Sequence, residues 1–113
     1  MRSLEALPIL QEQRREISMP AYVVVDLEII NPEEFEAYKY LVPATIAKYG
    51  GRYLARGGEV QTLDGDWCPK RFVLLEFSSV NQAKAWFDSP EYSKPKALRE
   101  RSARSNIIVV EGV

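Results

Sequence analysis

Histidine is absent from this chain, and no other fact of composition excludes as much chemistry. Without imidazole there is no Ser-His or Cys-His nucleophile pair, no histidine ligand for haem, and no iron site of two histidines and a carboxylate. Cysteine is nearly absent as well. Cys68 stands alone, so it closes neither an internal disulfide nor a zinc site, and a reducing cytoplasmic setting is the expectation. Net charge is close to nil: 15 basic residues against 16 acidic ones leave −1, which provides no overall field to draw nucleic acid or an anionic membrane. No apolar run approaches the roughly 18 residues needed to span a bilayer. No strand leads into a G-x-G-x-x-G helix entry, so a nucleotide fingerprint is missing. The expectation is a protein with no metal, no cofactor, no nucleic-acid partner and no membrane partner.

What is present is enough for one domain. The chain has 113 residues, 46% of them hydrophobic and 27% charged, the profile of a single globular unit with an adequate core that a partner chain would help to complete. Residues 1–18 read as an N-terminal extension, at most a short helix, with Pro8 available for its first turn and Leu7, Leu10 and Ile17 as a weak stripe. They mix Glu5, Glu12 and Glu16 with Arg2, Arg14 and Arg15, the wrong texture for a signal peptide. The Met19-Pro20-Ala21 junction has the look of a start, and residues 19–113 form the expected single domain.

The run Ala21 to Ile29 is rich in β-branched residues and predicts a first strand. Asn31 caps a helix with Pro32 at its first position and Glu34 as capping-box partner. Phe35, Tyr38, Val42, Ile46 and Tyr49 recur at helical spacing. Pro43 interrupts that pattern and predicts a kink or break; Gly50 predicts the stop. A short strand follows between Gly50-Gly51 and Gly57-Gly58, carrying Arg52 and Arg56 in one phase. Glu59 to Lys70 is polar and predicts an exposed loop. Arg71 to Phe77 predicts a strand. Ser79 caps a second helix whose apolar side is Ala83, Trp86 and Phe87. Pro90 and Pro95 predict short helical turns between Ser89 and Ala103, and Ser105 to Glu111 a last strand.

This order is βαββαβ, an α+β ferredoxin-like fold with a four-stranded antiparallel sheet. A sheet with helices on one side ordinarily alternates apolar with polar residues. These strands do not alternate cleanly. Tyr22, Val24, Phe72 and Leu74 occupy the phase opposite the helix-facing set, and Ile107 to Val110 is apolar in both phases. A second sheet from an identical chain is the economical cover, so a homodimer is expected.

At that point particular residues carry a resemblance. They are Pro20-Ala21-Tyr22, Tyr49-Gly50-Gly51 through Arg56-Gly57-Gly58, Trp67-Cys68-Pro69-Lys70-Arg71, Glu76-Phe77, and Trp86-Phe87-Asp88-Ser89-Pro90-Glu91-Tyr92. With them residues 20–113 resemble the domain-of-unknown-function family 1330, within the dimeric α+β barrel superfamily of ferredoxin-like folds. The resemblance implies two sheets facing each other in a dimer, with a cavity between sheet and helices or at the barrel. The family has no settled activity. Its superfamily relatives include small cofactor-independent monooxygenases, lactone isomerases, haem-degrading enzymes and ligand-sensing domains, so fold analogy does not choose among them. The lack of histidine counts against the haem branch.

The candidate site residues follow from the strand phases. Asp26 and Glu76 fall in the same phase of neighbouring strands, with Arg56 ending the strand beside them. Two carboxylates and a guanidinium make a polar ligand site in which one carboxylate acts as general base, or else a structural ion network. Tyr53, Trp67 and Tyr92 are the candidate walls for a planar or apolar ligand, Trp67 and Tyr92 equally suiting a lid or a dimer contact, while Trp86 suits the core. Gly57-Gly58 either serves a turn or allows close backbone approach to a ligand. Lys94, Lys96, Arg99, Arg101 and Arg104 suit a solvated helical face or an anion-attracting patch. The resulting expectation is a small-molecule-binding homodimer, with cofactor-free acid/base or oxygenation chemistry on a small organic substrate. The alternative is a non-catalytic binding or interaction domain. A closed pocket of about 300 Å³ with Arg56 and a carboxylate facing inward would favour the first, and filled space with every charge paired the second.

Overall fold

The computed structural model describes residues 19–113; the expected N-terminal extension, residues 1–18, lies outside the described residues. The elements are β1 (Ala21–Ile29), α1 (Pro32–Lys48), β2 (Arg52–Arg56), β3 (Arg71–Phe77), α2 (Val80–Phe87), α3 (Pro90–Ser102) and β4 (Ala103–Glu111). The four strands form one antiparallel sheet in the order β2-β3-β1-β4. This is the βαββαβ ferredoxin-like arrangement expected from the order of apolar runs.

Alternation along the strands decides which residues enter the core. Val23, Val25 and Leu27 of β1 and Val73, Leu75 and Phe77 of β3 are buried against Phe35, Val42 and Ile46 of α1, Trp86 of α2 and Tyr92 of α3. The helices all take this one face. Trp86 is core, as its helical spacing predicted, and its indole N–H donates to Thr45 Oγ1 at 3.0 Å.

Both interior prolines leave their helices continuous, so α3 is one helix and not the expected short turns, and of the kink or break expected at Pro43 the break is not made. α1 runs through Pro43 to Lys48, and α3 runs through Pro95 as one helix of 13 residues. Proline costs one intrahelical bond and crowds the carbonyl four residues back. In α3 the burial of Tyr92, Pro95, Arg99 and Ser102 on one face outweighs that loss. In α1 the carbonyl left without its usual N–H is that of Lys39, and Arg56 Nη2 donates to it at 2.9 Å. Half of the expected capping box is made: Asn31 Oδ1 accepts from the Glu34 N–H at 3.2 Å. The Asn31 N–H instead reaches the Ser102 carbonyl at 3.0 Å, and the Glu34 carboxylate pairs with Arg101.

β2 carries a bulge. Tyr53 opposes Leu75 and Ala55 opposes Leu74, which leaves Leu54 as an extra residue. Because the extra residue reverses the phase, Arg52 faces the open side of the sheet opposite Glu76, whereas Arg56 faces the helix side opposite Val73. The two arginines therefore do not share a face, contrary to the plain alternation of the sequence.

Candidate functional site

The helix side of the sheet encloses a narrow cavity of about 30 Å³ whose polar lining is Tyr38, Lys39, Tyr53, Arg56, Arg71 and Tyr92. Each group arrives from a different constraint. Tyr53 and Arg56 come from either side of the β2 bulge, and the Arg56 guanidinium lies 4.6 Å from the Tyr53 ring centroid. Arg71 opens β3 in phase with Val73, Leu75 and Phe77, so it faces inward, and its guanidinium lies over the Phe35 ring at 5.5 Å. Its Nε is buried with no hydrogen-bond partner among the described residues. Gly57 has a φ of 72° and makes the turn after β2, and a Cβ there would collide with Arg71 Nη1. This glycine makes the turn and leaves room for the Arg71 side chain.

Behind the cavity a buried polar chain runs across α1, α3 and β4. Tyr38 and Tyr92 share a hydrogen bond at 3.0 Å, Arg99 Nε donates to the Tyr92 hydroxyl at 3.1 Å, and Arg99 Nη1 donates to Ser105 Oγ at 2.9 Å. Burial, and secondarily the adjacent Tyr92, raises the Tyr38 pKa. Burial also raises that of Tyr53, opposed by the charges of Arg56 and Arg71. Both phenols therefore stay protonated at neutral pH and act as hydrogen-bond donors or acceptors, not as bases. Arg56, Arg71 and Arg99 form no ion pair with a carboxylate among the described residues, while Arg52, Arg101 and Arg104 each do.

The expected cluster of Asp26, Glu76 and Arg56 is not formed. Asp26 opposes Phe72 whereas Glu76 opposes Tyr22; four positions along β1 separate the two carboxylates by about 13 Å at the rise of an antiparallel strand. Both lie on the open side. Glu76 pairs with Arg52 Nε at 2.7 Å, and Asp26 Oδ2 accepts from Trp67 Nε1 at 3.0 Å. Arg56 lies across the sheet from them. The general-base expectation for Asp26 and Glu76 thus has no place in the cavity, because antiparallel register and the bulge, not phase alone, decide proximity.

Trp67 folds from the loop before β3 onto the open face, edge-on to Phe72 with ring centroids 6.4 Å apart. It covers a cleft of about 260 Å³ lined also by Val24, Asp26, Asn106 and Ile108. Tyr92 is neither lid nor exposed contact: it is fully buried, drawn inward by its place on the buried face of α3. The basic run is likewise split, since Arg99 is only 6% exposed. Of the sequence candidates, Tyr53, Arg56 and Tyr92 line the cavity and Asp26, Glu76 and Trp67 lie on the other side. Sequence reasoning missed Tyr38, Arg71 and Arg99 as site groups. The signals were there: Arg71 keeps the inward phase of β3, and Arg99 follows Tyr92 by two helical turns. Among the described residues no group of three or more histidine, cysteine, aspartate or glutamate side chains could hold a metal ion.

Comparison with known proteins places this geometry in a fold group. A family model described as Domain of unknown function (DUF1330) matches residues 20–113. A protein of unknown function from Rhodopseudomonas palustris is similar in structure, with 17% identity, a TM-score of 0.69, and coverage of 100% of this chain and 95% of that one. SnoaB, a cofactor-independent oxygenase from Streptomyces nogalater, is similar with 12% identity, a TM-score of 0.57, and coverage of 81% and 91%. A conserved protein from Methanosarcina mazei Go1 is similar with 18% identity, a TM-score of 0.50, and coverage of 82% and 93%. At these identities the likeness is one of fold. No curated protein matches the chain in sequence.

Proposed function

The chain belongs to the family of domains of unknown function DUF1330, and from that premise we propose that it is a homodimeric α+β barrel protein that binds a small organic molecule between its sheet and its helices. The observation that carries the binding reading is Arg71, a residue of the cavity wall whose buried Nε has no hydrogen-bond partner among the described residues. Leaving such a donor unmet costs about 1–3 kcal/mol, and a bound acceptor removes that cost.

The dimer reading has its own support. Ile108 is 61% exposed and Val110 49% exposed on the open face, where register aligns them with Val24 and Tyr22 of β1, and these with Leu74 and Glu76 of β3. A second sheet laid on this face would cover the apolar patch and enclose Trp67.

The cavity favours binding over acid/base turnover. Its volume of about 30 Å³ is far below that of an open substrate pocket, and among the described residues no carboxylate lines it. Burial raises the Tyr38 and Tyr53 phenols, which stay protonated, and the Lys39 ammonium pairs with Glu36 at 3.2 Å. The likeness to SnoaB extends to the fold and supplies this cavity with no base.

A thermal-shift screen across chemically mixed small molecules tests the reading. Compounds that raise Tm for the wild type should lose their effect in Arg56→Ala. A complete absence of stabilising compounds would overturn it, and shifts unchanged in the variant would remove Arg56 from the site.

A further inference from the structure

The polar lining of the helix-side cavity is one-sided. Arg56 and Arg71 face it, Arg99 reaches it through Tyr92, and among the described residues no carboxylate lines it. Arg71 is half-buried with its Nε shielded from solvent, and a guanidinium drawn even partly out of water without a counter-charge is costly, a cost that an anion with matching geometry offsets. A cation would meet like charge. A neutral molecule could satisfy the orphan Nε but not the charge.

We propose that the cavity seats the head group of a small monocarboxylic acid, taken up as its anion, with the carboxylate between Arg71 Nε and the nitrogens of Arg56 that Lys39 leaves free. This inference rests on the ligand-binding reading above and names the ligand's class. Size selects the head group. A space of about 30 Å³ has room for one or two water-sized groups, so a planar two-oxygen group suits it better than a bulkier tetrahedral phosphate. The body of the ligand lies towards the mouth, at the exposed Arg56 and the half-buried Lys39.

The receiving groups are held in advance. Arg56 has one nitrogen fixed on the Lys39 carbonyl that Pro43 leaves unbonded and its plane over Tyr53. Arg71 rests on Phe35 in the space that Gly57 leaves open. Such preorganisation lowers the ordering cost of binding, and carboxylate–guanidinium bonds are stronger and more directional than neutral ones. The phenols of Tyr38 and Tyr53, kept protonated by burial, add no negative charge to repel the ligand.

Titration calorimetry and thermal shift of the full chain with benzoate and hexanoate test this, with benzamide and hexanamide as neutral counterparts and inorganic phosphate as a third arm. The acids should bind and raise Tm while the amides do not. Arg71→Met and Arg56→Met should each weaken acid binding by about tenfold or more, and Arg52→Met, on the open face, should leave it unchanged. Circular dichroism establishes that the variants fold; should Arg71→Met unfold, the more exposed Arg56→Met decides. Amides that bind as well as acids, phosphate binding without acid binding, acids inert at millimolar concentration, or full acid binding in both variants would each overturn the proposal. Neutral compounds that bind in an Arg56-dependent way would reject the anion while sustaining the small-molecule reading, whereas inertness across every class rejects both.

Discussion

Single residues in this protein do two jobs where the chain is tightest. Gly51 is needed for space: a Cβ there would lie 2.5 Å from the Phe77 ring and 2.9 Å from Ile46. Gly51→Ala should therefore destabilise by about 1–3 kcal/mol in urea unfolding, through overpacking. Glu91 shows the electrostatic counterpart. Its carboxylate accepts from Lys48 and Tyr49, and these bonds, that of Lys48 first, hold its pKa down at about 2 from an ordinary 4.5. A pKa lower in the folded state stabilises the fold above the unfolded value and ceases to do so as pH falls through the folded one. The Tm advantage of wild type over Glu91→Gln should accordingly be full near neutrality, shrink below pH 4.5 and vanish near pH 2. A difference that stays constant across that window would show that Glu91 acts by packing alone.

Elements in this fold are stabilised across, not only along, the chain. α1 keeps its course through Pro43 because a strand-end arginine supplies the donor that the helix lacks. That link predicts a coupling. Arg56→Ala should cost about 1 kcal/mol more in the wild type than in the Pro43→Ala background, where the backbone N–H regained at that position would restore the helical bond to the Lys39 carbonyl. A double-mutant cycle by denaturant unfolding measures the difference. Additive effects would show that the bond contributes nothing. The β2 bulge is the second cross-element device. It sends Arg56 inward and Arg52 outward, so one extra residue separates the helix-side cavity from the Arg52–Glu76 pair on the open face.

For the whole molecule the issue is its two unlike faces. One carries the helices and the core, and the other carries Tyr22, Val24, Phe72, Leu74, Ile108 and Val110 with Trp67 folded over part of it. In the proposed dimer, Ile108→Glu places a charge between two sheets. Sedimentation should then show a shift from dimer to monomer, with the far-ultraviolet spectrum retained. A wild type that sediments as a monomer at micromolar concentration would reject the dimer. Among the described residues no helix is long and apolar enough to cross a membrane.

The chain's local chemistry was enough for its elements. β-branched runs, capping residues and helical spacing placed the four strands, α1 and α2, because each depends on neighbours within a few positions, and the unalternating strands pointed to a second apolar face. Tertiary structure decided everything that depends on register. Asp26 and Glu76 share a phase yet lie about 13 Å apart along the strand direction, since phase selects a face while pairing selects a position on it. Arg52 and Arg56 share a phase in the sequence yet lie on opposite faces, since one bulged residue reverses the alternation. Tyr92, expected as a pocket wall, lid or dimer contact, and Arg99, expected in a solvated face or an anion-attracting patch, are both buried, since a helix face is polar or apolar only in relation to what packs on it. The cavity is therefore a product of long-range pairing, with two guanidinia that no carboxylate among the described residues pairs lining it from strands joined by a fourteen-residue loop, residues 57–70.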